Sequence, residues 1–307
     1  MTKPESVSLY QFFQQFLNEE SARIYFESKR WKEGVYCAHC GSFDVSECKD
    51  HIPMPYRCKA CRKHFSVRTG TVLSESRLPL KKWLMAIYML TTARKGIPST
   101  QMAKELDITQ KTAWFLAQRI RETWMIEKGN SDMGPSVQVD ETFIGGKEKN
   151  KHACKKLHQG RGSVGKIAVI GVTDGNGIVK AQPIENVDSQ TVKRFITQHV
   201  AKGSTVVTDD FRAYRGMAGY THKTVKHSVG EYVRKQAHTN GIESFWALLK
   251  LGYYGIYHHM SEKHLHRYVN EFSFRHNTAN VGTMDFISMT IKKMENCRLT
   301  YRDLINA

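Results

Sequence analysis

Val137-Gln138-Val139-Asp140-Glu141-Thr142-Phe143-Ile144 is the stretch that decides the fold of the carboxyl-terminal two thirds of the chain. Its alternation places the two valines and Phe143 on one face of a β-strand, so Asp140 points from the other face. Glu141 interrupts the apolar face, which indicates an ion pair or a supporting role beside Asp140. The pattern therefore predicts a strand that is apolar on one side and carries a carboxylate on the other.

Two hairpins extend this strand into a sheet. A glycine pair opens a basic loop that begins with Lys147 and returns into a strand over residues 167–172. We expect the loop to be a phosphate-binding hairpin tip, and a solvated flexible loop is the alternative. Asp174-Gly175-Asn176-Gly177 then predicts a tight turn into a third strand over residues 178–184.

A helix over residues 189–200 leads to a fourth strand, residues 204–208, which ends on Asp209 and Asp210. Three hairpin-connected strands, a helix and a fourth strand form the order of an RNase H-like mixed sheet, in which the fourth strand lies beside the first. One acid then lies on the first strand and a second at the end of the fourth, a requirement that Asp140 and Asp209 meet. Asp210 is the alternative second acid.

A further short strand, residues 223–227, precedes the helix that carries the third acid. One face of this helix is apolar, with Ile242, Phe245, Trp246 and Leu249. Another face holds Asn240, Glu243, Ala247 and Lys250. The spacing therefore predicts that one carboxylate, that of Glu243, faces the strands.

Asp140, Asp209 and Glu243 together predict a catalytic metal site. Two hard cations about 4 Å apart need carboxylate oxygens to hold them, one cation activating water or a 3′-hydroxyl and the other stabilising the leaving oxygen. The expected cofactors are two Mg²⁺ or Mn²⁺ ions. The alternative is a purely structural role for the three acids.

Four of the seven cysteines form two Cys-x₂-Cys pairs, Cys37 with Cys40 and Cys58 with Cys61, with seventeen residues between them. This separation is typical of a zinc ribbon, in which four thiolates close a tetrahedral structural site around one Zn²⁺. Four buried cysteines without a metal are the alternative. The remaining cysteines are interpreted as ordinary thiols: Cys48, Cys154 and Cys297.

Helical periodicity covers residues 8–30, with a largely buried apolar stripe, and residues 80–92, a packing helix. Ser99 is then expected to cap a short helix, and Thr109 a second one that extends to residue 124. The pair resembles a helix-turn-helix, with a helical spacer as the alternative. The predicted DNA contacts of the second helix are Gln110, Lys111, Thr112 and Arg119.

The charge of the chain favours a polyanionic partner. Its 307 residues include 46 Lys and Arg against 29 Asp and Glu, a formal net charge of +17. The basic residues are spread along the chain, so folded surfaces are expected to meet double-stranded DNA. The start of the chain has no signal peptide and no apolar run reaches the length of a spanning helix, which predicts a cytoplasmic, nucleoid-associated protein without a membrane partner.

Taken together, these motifs resemble the bacterial insertion-sequence transposases of the DDE type, related to the Merlin elements, with an amino-terminal zinc ribbon. The resemblance is carried in chain order by the four cysteines, residues 139–147, Thr208-Asp209-Asp210 followed by Tyr214, His227-Ser228, and residues 238–246.

The resemblance implies that the protein cuts and joins DNA at the terminal inverted repeats of its element. Asp140, Asp209 and Glu243 would be its metal ligands, and Lys250 would contact DNA. Lys147, in the basic loop, is a further DNA contact predicted from the charge of that loop. Some members of this group use an asparagine as the third ligand, so the alternative is that Asn240 holds the third position, alone or together with Glu243. Such proteins act as homo-oligomers on element ends and target DNA.

The sequence therefore predicts an α/β (α+β) protein in five parts: an amino-terminal helical segment (1–30), a zinc ribbon (31–72), a helix-turn-helix region (78–128), an RNase H-like catalytic domain (135–285) and a helical tail (286–307). Two rival functions share some of these features. One is a DNA-binding regulator without catalysis, and the other is an RNase H-fold nuclease that cuts without joining.

Overall fold

The computed structural model describes residues 5–48, 50–125, 133–146, 152, 154, 164–225 and 240–306. The chain forms two compact units, one comprising residues 1–124 with 280–307 and the other residues 125–279. Each unit is described by itself. None of the helices in these described ranges combines the length and apolarity needed to span a bilayer.

The first unit begins with two helices, α1 (Leu9–Gln15) and α2 (Glu19–Arg30), where the sequence predicted one. The prediction was wrong because Asn18 starts a new helix: its side chain accepts a hydrogen bond from the Ser21 N–H at 2.9 Å, and Ser21 caps it in return. Only part of the predicted apolar stripe is buried. Phe12 and Phe16 lie in the core, whereas the exposed members are Leu9, Phe13 and Leu17.

A small antiparallel sheet follows, built from β1 (Val45–Glu47), β2 (Tyr56–Cys58) and β3 (His64–Phe65) in that order. Its core is aromatic. The Trp31 ring meets the Tyr56 ring edge-on at 5.3 Å and the Phe65 ring at 6.0 Å. Such contacts stabilise a sheet that is too small to bury a large aliphatic core.

Three helices complete the amino-terminal part of this unit: α3 (Leu80–Thr92), α4 (Ser99–Leu106) and α5 (Gln110–Glu122). The Thr109 side chain caps α5 by accepting from the Thr112 N–H at 3.2 Å, as the sequence predicted. Ser99, expected as the cap of α4, is instead its first residue, because Pro98 holds the extended conformation before it. Asp107 makes the turn between α4 and α5 in the left-handed conformation, with φ of 49°.

Two carboxyl-terminal helices, α9 (Thr283–Lys292) and α10 (Tyr301–Asn306), belong to the same unit. The Trp124 indole donates to the Thr290 hydroxyl at 3.1 Å, and the Tyr25 hydroxyl donates to the Met284 carbonyl at 3.3 Å. The end of the chain therefore packs on helices that precede the second unit.

The second unit contains a five-stranded mixed sheet. Its strands are β4 (Ser136–Ile144), β5 (Ile167–Asp174), β6 (Val179–Ile184), β7 (Thr205–Thr208) and β8 (Thr221–Thr224), in the order β6-β5-β4-β7-β8. The first three are antiparallel, and β7 pairs in parallel with both β4 and β8. This confirms the RNase H-like order, although β8 begins two residues before the predicted strand.

Helices cover both faces of this sheet. Helix α6 (Ser189–His199) packs on Val137 and Val139 through Phe195 and Ile196. The opposite face carries α7 (Asn240–Gly252), a π-helical turn (Tyr253–Tyr257) and α8 (Glu262–Asn277), which share a second core with Ile144 and Val169. Because β4 contributes apolar side chains to both cores, it is the central strand of the unit.

Candidate active site and metal centre

The four predicted zinc ligands come together at the edge of the small sheet. The Sγ atoms of Cys37, Cys40, Cys58 and Cys61 all lie within 4.8 Å of one another. Cys37 lies 3.6 Å from Cys61, and Cys40 lies 3.6 Å from Cys58. Four converging thiols with this spacing fit a closed tetrahedral Zn²⁺ site.

Two similar turns build this cluster. The Cys37 N–H donates to the Ser42 carbonyl at 2.9 Å, and the Cys58 N–H donates to the Lys63 carbonyl at 3.0 Å. The Cys61 N–H donates to the Cys58 thiol at 3.4 Å and is the main cause that lowers the pKa of this thiol to about 7. At Cys58 the backbone therefore favours the thiolate that metal binding requires, whereas desolvation and the neighbouring thiols raise the pKa of Cys40 to about 12.

Asp140 and Asp209 occupy neighbouring positions in the second unit. Asp140 lies on β4, opposite Gly171 of β5, and Asp209 directly follows β7, the parallel neighbour of β4. Burial raises the pKa of Asp140 to about 7, and the negative charges of Glu141 and Asp209 contribute to this rise. In the parts of the chain that the structure describes, no basic side chain pairs with either aspartate to offset this charge.

Glu141, whose role the sequence left open, is held by a hydrogen bond. The hydroxyl of the fully buried Tyr214 donates to Glu141 Oε2 at 2.5 Å. Burial raises the pKa of Glu141, and the nearby Asp209 carboxylate raises it further. Glu141 is therefore a third acid of this cluster, on the α6 side of the sheet, and forms no ion pair with any residue that the structure describes.

Asp209 and Asp210 differ in their surroundings. The Asp209 carboxylate accepts from the Phe211 N–H at 3.1 Å, and its charge contributes to the pKa shifts of Asp140 and Glu141. Asp210 is exposed. Asp209 is thus the acid that the structure brings beside Asp140.

Glu243 and Asn240 lie in the first turn of α7, and both are exposed. Among the described residues, the four cysteines alone form a group of three or more potential metal ligands within 4.8 Å. Asp140 and Asp209 therefore occupy neighbouring positions on adjacent strands. Within the described part of the chain, the Glu243 carboxylate does not form a three-ligand group with them.

Two contacts that the sequence did not reveal tie α7 to β4. The Gln138 side chain accepts from the Gly241 N–H at 3.1 Å and the Ile242 N–H at 3.4 Å, at the start of the helix. The Trp246 indole N–H donates to Asp140 Oδ2 at 3.0 Å. Trp246 was predicted only as part of an apolar face; a glycine within a predicted strand, Gly171, was the available signal of a close approach.

The predicted DNA contacts lie on different kinds of surface. Gln110 and Lys111 are exposed at the start of α5, and Thr112 is half-buried. The Lys111 ammonium lies over the Tyr301 ring, 4.6 Å from its centroid, so α10 borders the start of α5. Lys250 is exposed near the end of α7.

Arg119 requires a correction, because only 6% of its surface is exposed. Its guanidinium lies over the Trp83 and Phe115 rings and donates to the Ser74 carbonyl at 2.6 Å. Burial lowers its pKa to about 10. Helical periodicity assigned Arg119 to a polar face, but the Trp83 and Phe115 side chains cover its guanidinium. Arg119 therefore stabilises the packing of the first unit. Lys147 lies outside the described residues.

Two domain families match the chain. Residues 17–64 match the transposase zinc-ribbon domain, and residues 133–277 match the ISXO2-like transposase domain. The second range contains Asp140, Asp209 and Glu243. The four clustered cysteines lie within the first.

A curated relative comes from Halobacterium salinarum and is described as an uncharacterized protein in transposable element ISH50. It is 29% identical over 248 residues, which cover 76% of this chain and 83% of the relative. Among solved structures, the Mos1 strand transfer complex is 12% identical over 67% of this chain and 79% of that chain, with a TM-score of 0.20. The Mos1 transposase paired-end complex with left transposon end is 14% identical over 72% and 83%, with a TM-score of 0.19.

The domain matches agree with the separate structural observations. The cysteine cluster has the ligand set of a zinc ribbon, and the strand pairing places the end of β7 beside Asp140 of β4 within the matched transposase domain. The chain is therefore similar to the insertion-sequence transposases, with a match to the transposase zinc-ribbon domain followed by a match to the ISXO2-like transposase domain.

Proposed function

We propose that the protein binds the terminal inverted repeats of its insertion sequence and catalyses both DNA strand cleavage and strand transfer with two divalent metal ions. Asp140, Asp209 and Glu243 are the proposed ligands. The observation that carries this proposal is the parallel pairing of β4 with β7, which sets Asp140 beside Asp209 in a mixed sheet.

The donor set fits hard cations. Asp140 is largely buried without a basic partner among the described residues, and Glu141 and Asp209 add negative charge to its surroundings. Such an arrangement is costly in isolation, since like charges in a poorly solvated site repel each other. Carboxylate oxygens are the ligands that Mg²⁺ and Mn²⁺ prefer, and a divalent cation would offset the repulsion.

Each residue then has a separate task. Asp140 and Asp209 provide two carboxylates at fixed neighbouring positions, because Asp140 lies on β4 and Asp209 directly follows the adjacent strand β7. Tyr214 keeps Glu141 in place beside them. When bound, the cations would supply Lewis-acid activation of the attacking oxygen and stabilise the leaving oxygen.

Glu243 is favoured over Asn240 as the third ligand by its place on α7. At 100° per residue, Glu243 lies roughly 60° around the helix from Trp246, whereas Asn240 lies roughly 120° from it. Trp246 touches Asp140 directly. Glu243 also brings the full negative charge that a divalent ion prefers to a neutral amide.

DNA binding is assigned to the start of α5 and to Lys250. Gln110 and Lys111 are the exposed residues at the amino end of the second helix of the helix-turn-helix, the position that reads base edges in such motifs. Lys250 lies two turns after Glu243 on α7, where a cation would contact the phosphate backbone. We further propose that the protein acts as a homo-oligomer on paired element ends and on target DNA.

The test is cleavage and strand transfer on linear DNA that carries the element's ends, with Mg²⁺ or Mn²⁺. Wild type would be compared with Asp140→Ala, Asp209→Ala, Glu243→Ala and Asn240→Ala, and DNA binding would be measured in parallel. We expect the first three variants to bind DNA without chemistry. Cleavage without joined products in the wild type would instead indicate a nuclease. Unaltered activity in Glu243→Ala, together with loss of activity in Asn240→Ala, would identify Asn240 as the third ligand.

A further inference from the structure

Trp246 lies in an apolar core but makes one polar contact, a hydrogen bond to Asp140. The side chain is 4% exposed and packs in the core between α7 and the sheet, yet its indole N–H is aimed at Asp140 Oδ2 at 3.0 Å. A hydrogen bond to an ionised carboxylate is about twice as strong as one between neutral groups. The indole therefore orients a proposed metal ligand from within the apolar core.

Gly171 makes this contact possible. It pairs with Asp140 across β4 and β5, and a Cβ added there would lie 2.7 Å from Cη2 and 2.9 Å from Cζ2 of Trp246. The backbone of Gly171 does not need glycine for its own conformation, since its φ is not positive. The residue is therefore small because the indole must cross β5 to reach β4.

Helix α7 is tied to β4 on both sides of Glu243. The Gln138 side chain accepts from the Gly241 and Ile242 N–H groups, and Trp246 donates to Asp140. Gln138 and Asp140 are two residues apart, so both side chains leave the same face of the strand. The two ties fix the rotation and the axial position of the first turn and a half of α7, the part that carries Glu243.

We propose that Trp246 is a positioning residue for catalysis: through the space left by Gly171 it orients Asp140 and sets the approach of Glu243 to the first two acids. This inference rests on the proposed metal-dependent function. Residues that hydrogen-bond to metal ligands change metal affinity or activity by about 10–100-fold when they are replaced. We expect an effect of this size from loss of the indole N–H.

Three variants separate positioning from packing. Trp246→Phe removes the N–H together with the part of the ring that faces Gly171. Gly171→Ala keeps the indole but pushes it from Asp140. In the double variant the added methyl group occupies space that the smaller phenyl ring has vacated. The double variant should therefore recover part of the thermal stability that Trp246→Phe loses. It should recover none of the lost metal affinity, because the indole N–H is still absent.

The measurements are Mn²⁺ binding to the full-length protein by electron paramagnetic resonance, thermal unfolding, and the rate of end cleavage at saturating Mn²⁺. Phe245→Leu controls for loss of packing on α7, because Phe245 is fully buried and has no polar contact with Asp140. Gly175→Ala controls for glycine replacement, because nothing lies within 4 Å of its added methyl group.

We expect Trp246→Phe, Gly171→Ala and the double variant each to bind Mn²⁺ about tenfold more weakly or worse, while both controls bind as wild type. Wild-type Mn²⁺ affinity in a folded Trp246→Phe, or recovery of affinity together with stability in the double variant, would overturn the positioning role. If wild type itself shows no Mn²⁺ site that Asp140→Asn abolishes, the proposed function fails first, and the two failures are thereby distinguished.

Discussion

Replacing Asp140 by asparagine should stabilise the second unit in the absence of divalent metal, although it removes a proposed catalytic group. Burial and the charges of Glu141 and Asp209 raise the pKa of Asp140 from its ordinary value of 3.8 to about 7. The folded protein therefore binds this proton more tightly than the unfolded chain does. Stability is highest below the unfolded pKa and is lost as the pH rises towards the folded one.

The size of the effect follows from this shift. Each pKa unit corresponds to about 1.4 kcal/mol, so the raised pKa of Asp140 lowers the free energy of unfolding by about 4 kcal/mol at pH 8, where the folded group is ionised. Near pH 5.5 the loss is about 2 kcal/mol, because the carboxyl is ionised in the unfolded chain but still protonated in the folded protein. Asparagine keeps the shape and an oxygen that can accept from the Trp246 indole. The gain in free energy of unfolding from Asp140→Asn should therefore increase by about 2 kcal/mol between these pH values and level off above pH 7.

Hydrogen exchange of β4 and β5 peptides in graded urea would measure this gain locally, because these peptides report the opening of their own strands. Glu185→Gln is the matched control, as an exposed carboxylate in the same unit. It should change stability by less than about 0.5 kcal/mol at either pH. A gain that is the same at both pH values, or a destabilised Asp140→Asn, would refute the electrostatic reasoning.

Three further results are expected. The purified protein should carry one zinc ion per chain by metal analysis, and Cys58→Ser should lose it together with the exchange protection of the small sheet; a zinc-free protein with full protection would contradict this. Lys111→Ala should reduce the slope of log DNA affinity against log salt by about one if the ammonium contacts phosphate, and an unchanged slope with weaker binding would indicate base contact instead. Gly252→Ala should destabilise the second unit by about 1–3 kcal/mol in urea unfolding, because its methyl group would collide with the Phe272 ring, whereas Gly255→Ala meets open space and should be neutral or slightly stabilising; equal effects would rule out the collision.

Local sequence patterns predict much of the fold of this protein. The paired cysteines predict their own cluster, because each Cys-x₂-Cys turn brings two thiols together whatever the rest of the chain does. The alternation in β4 and the turn at residues 174–177 predict the strands and their hairpin, and the order of elements predicts that β7 lies beside β4. The sequence could therefore place Asp140 beside the Asp209-Asp210 end of β7.

Other features escape such patterns. Helical periodicity merges α1 with α2, because it registers apolar spacing but not the hydrogen bond by which Asn18 restarts the helix. It also assigns Arg119 to an open surface, since charge predicts exposure unless aromatic side chains from elsewhere cover the group. Both errors concern contacts that apolar spacing does not register: a local capping hydrogen bond at Asn18, and the packing of Arg119 on an aromatic ring from another helix.

By itself, the sequence determined the zinc ligands as a set, the strand order and the acids that the sheet would carry. Only the tertiary structure decided which acid of the Asp209-Asp210 pair faces Asp140, and that Glu141 accepts a hydrogen bond from Tyr214. It also decided that Trp246, 106 residues away along the chain, holds Asp140. The physical reason is that periodicity reports which face of an element is apolar, whereas a hydrogen bond between two elements depends on their packing distance and rotation, which are set by side chains as small as that of Gly171.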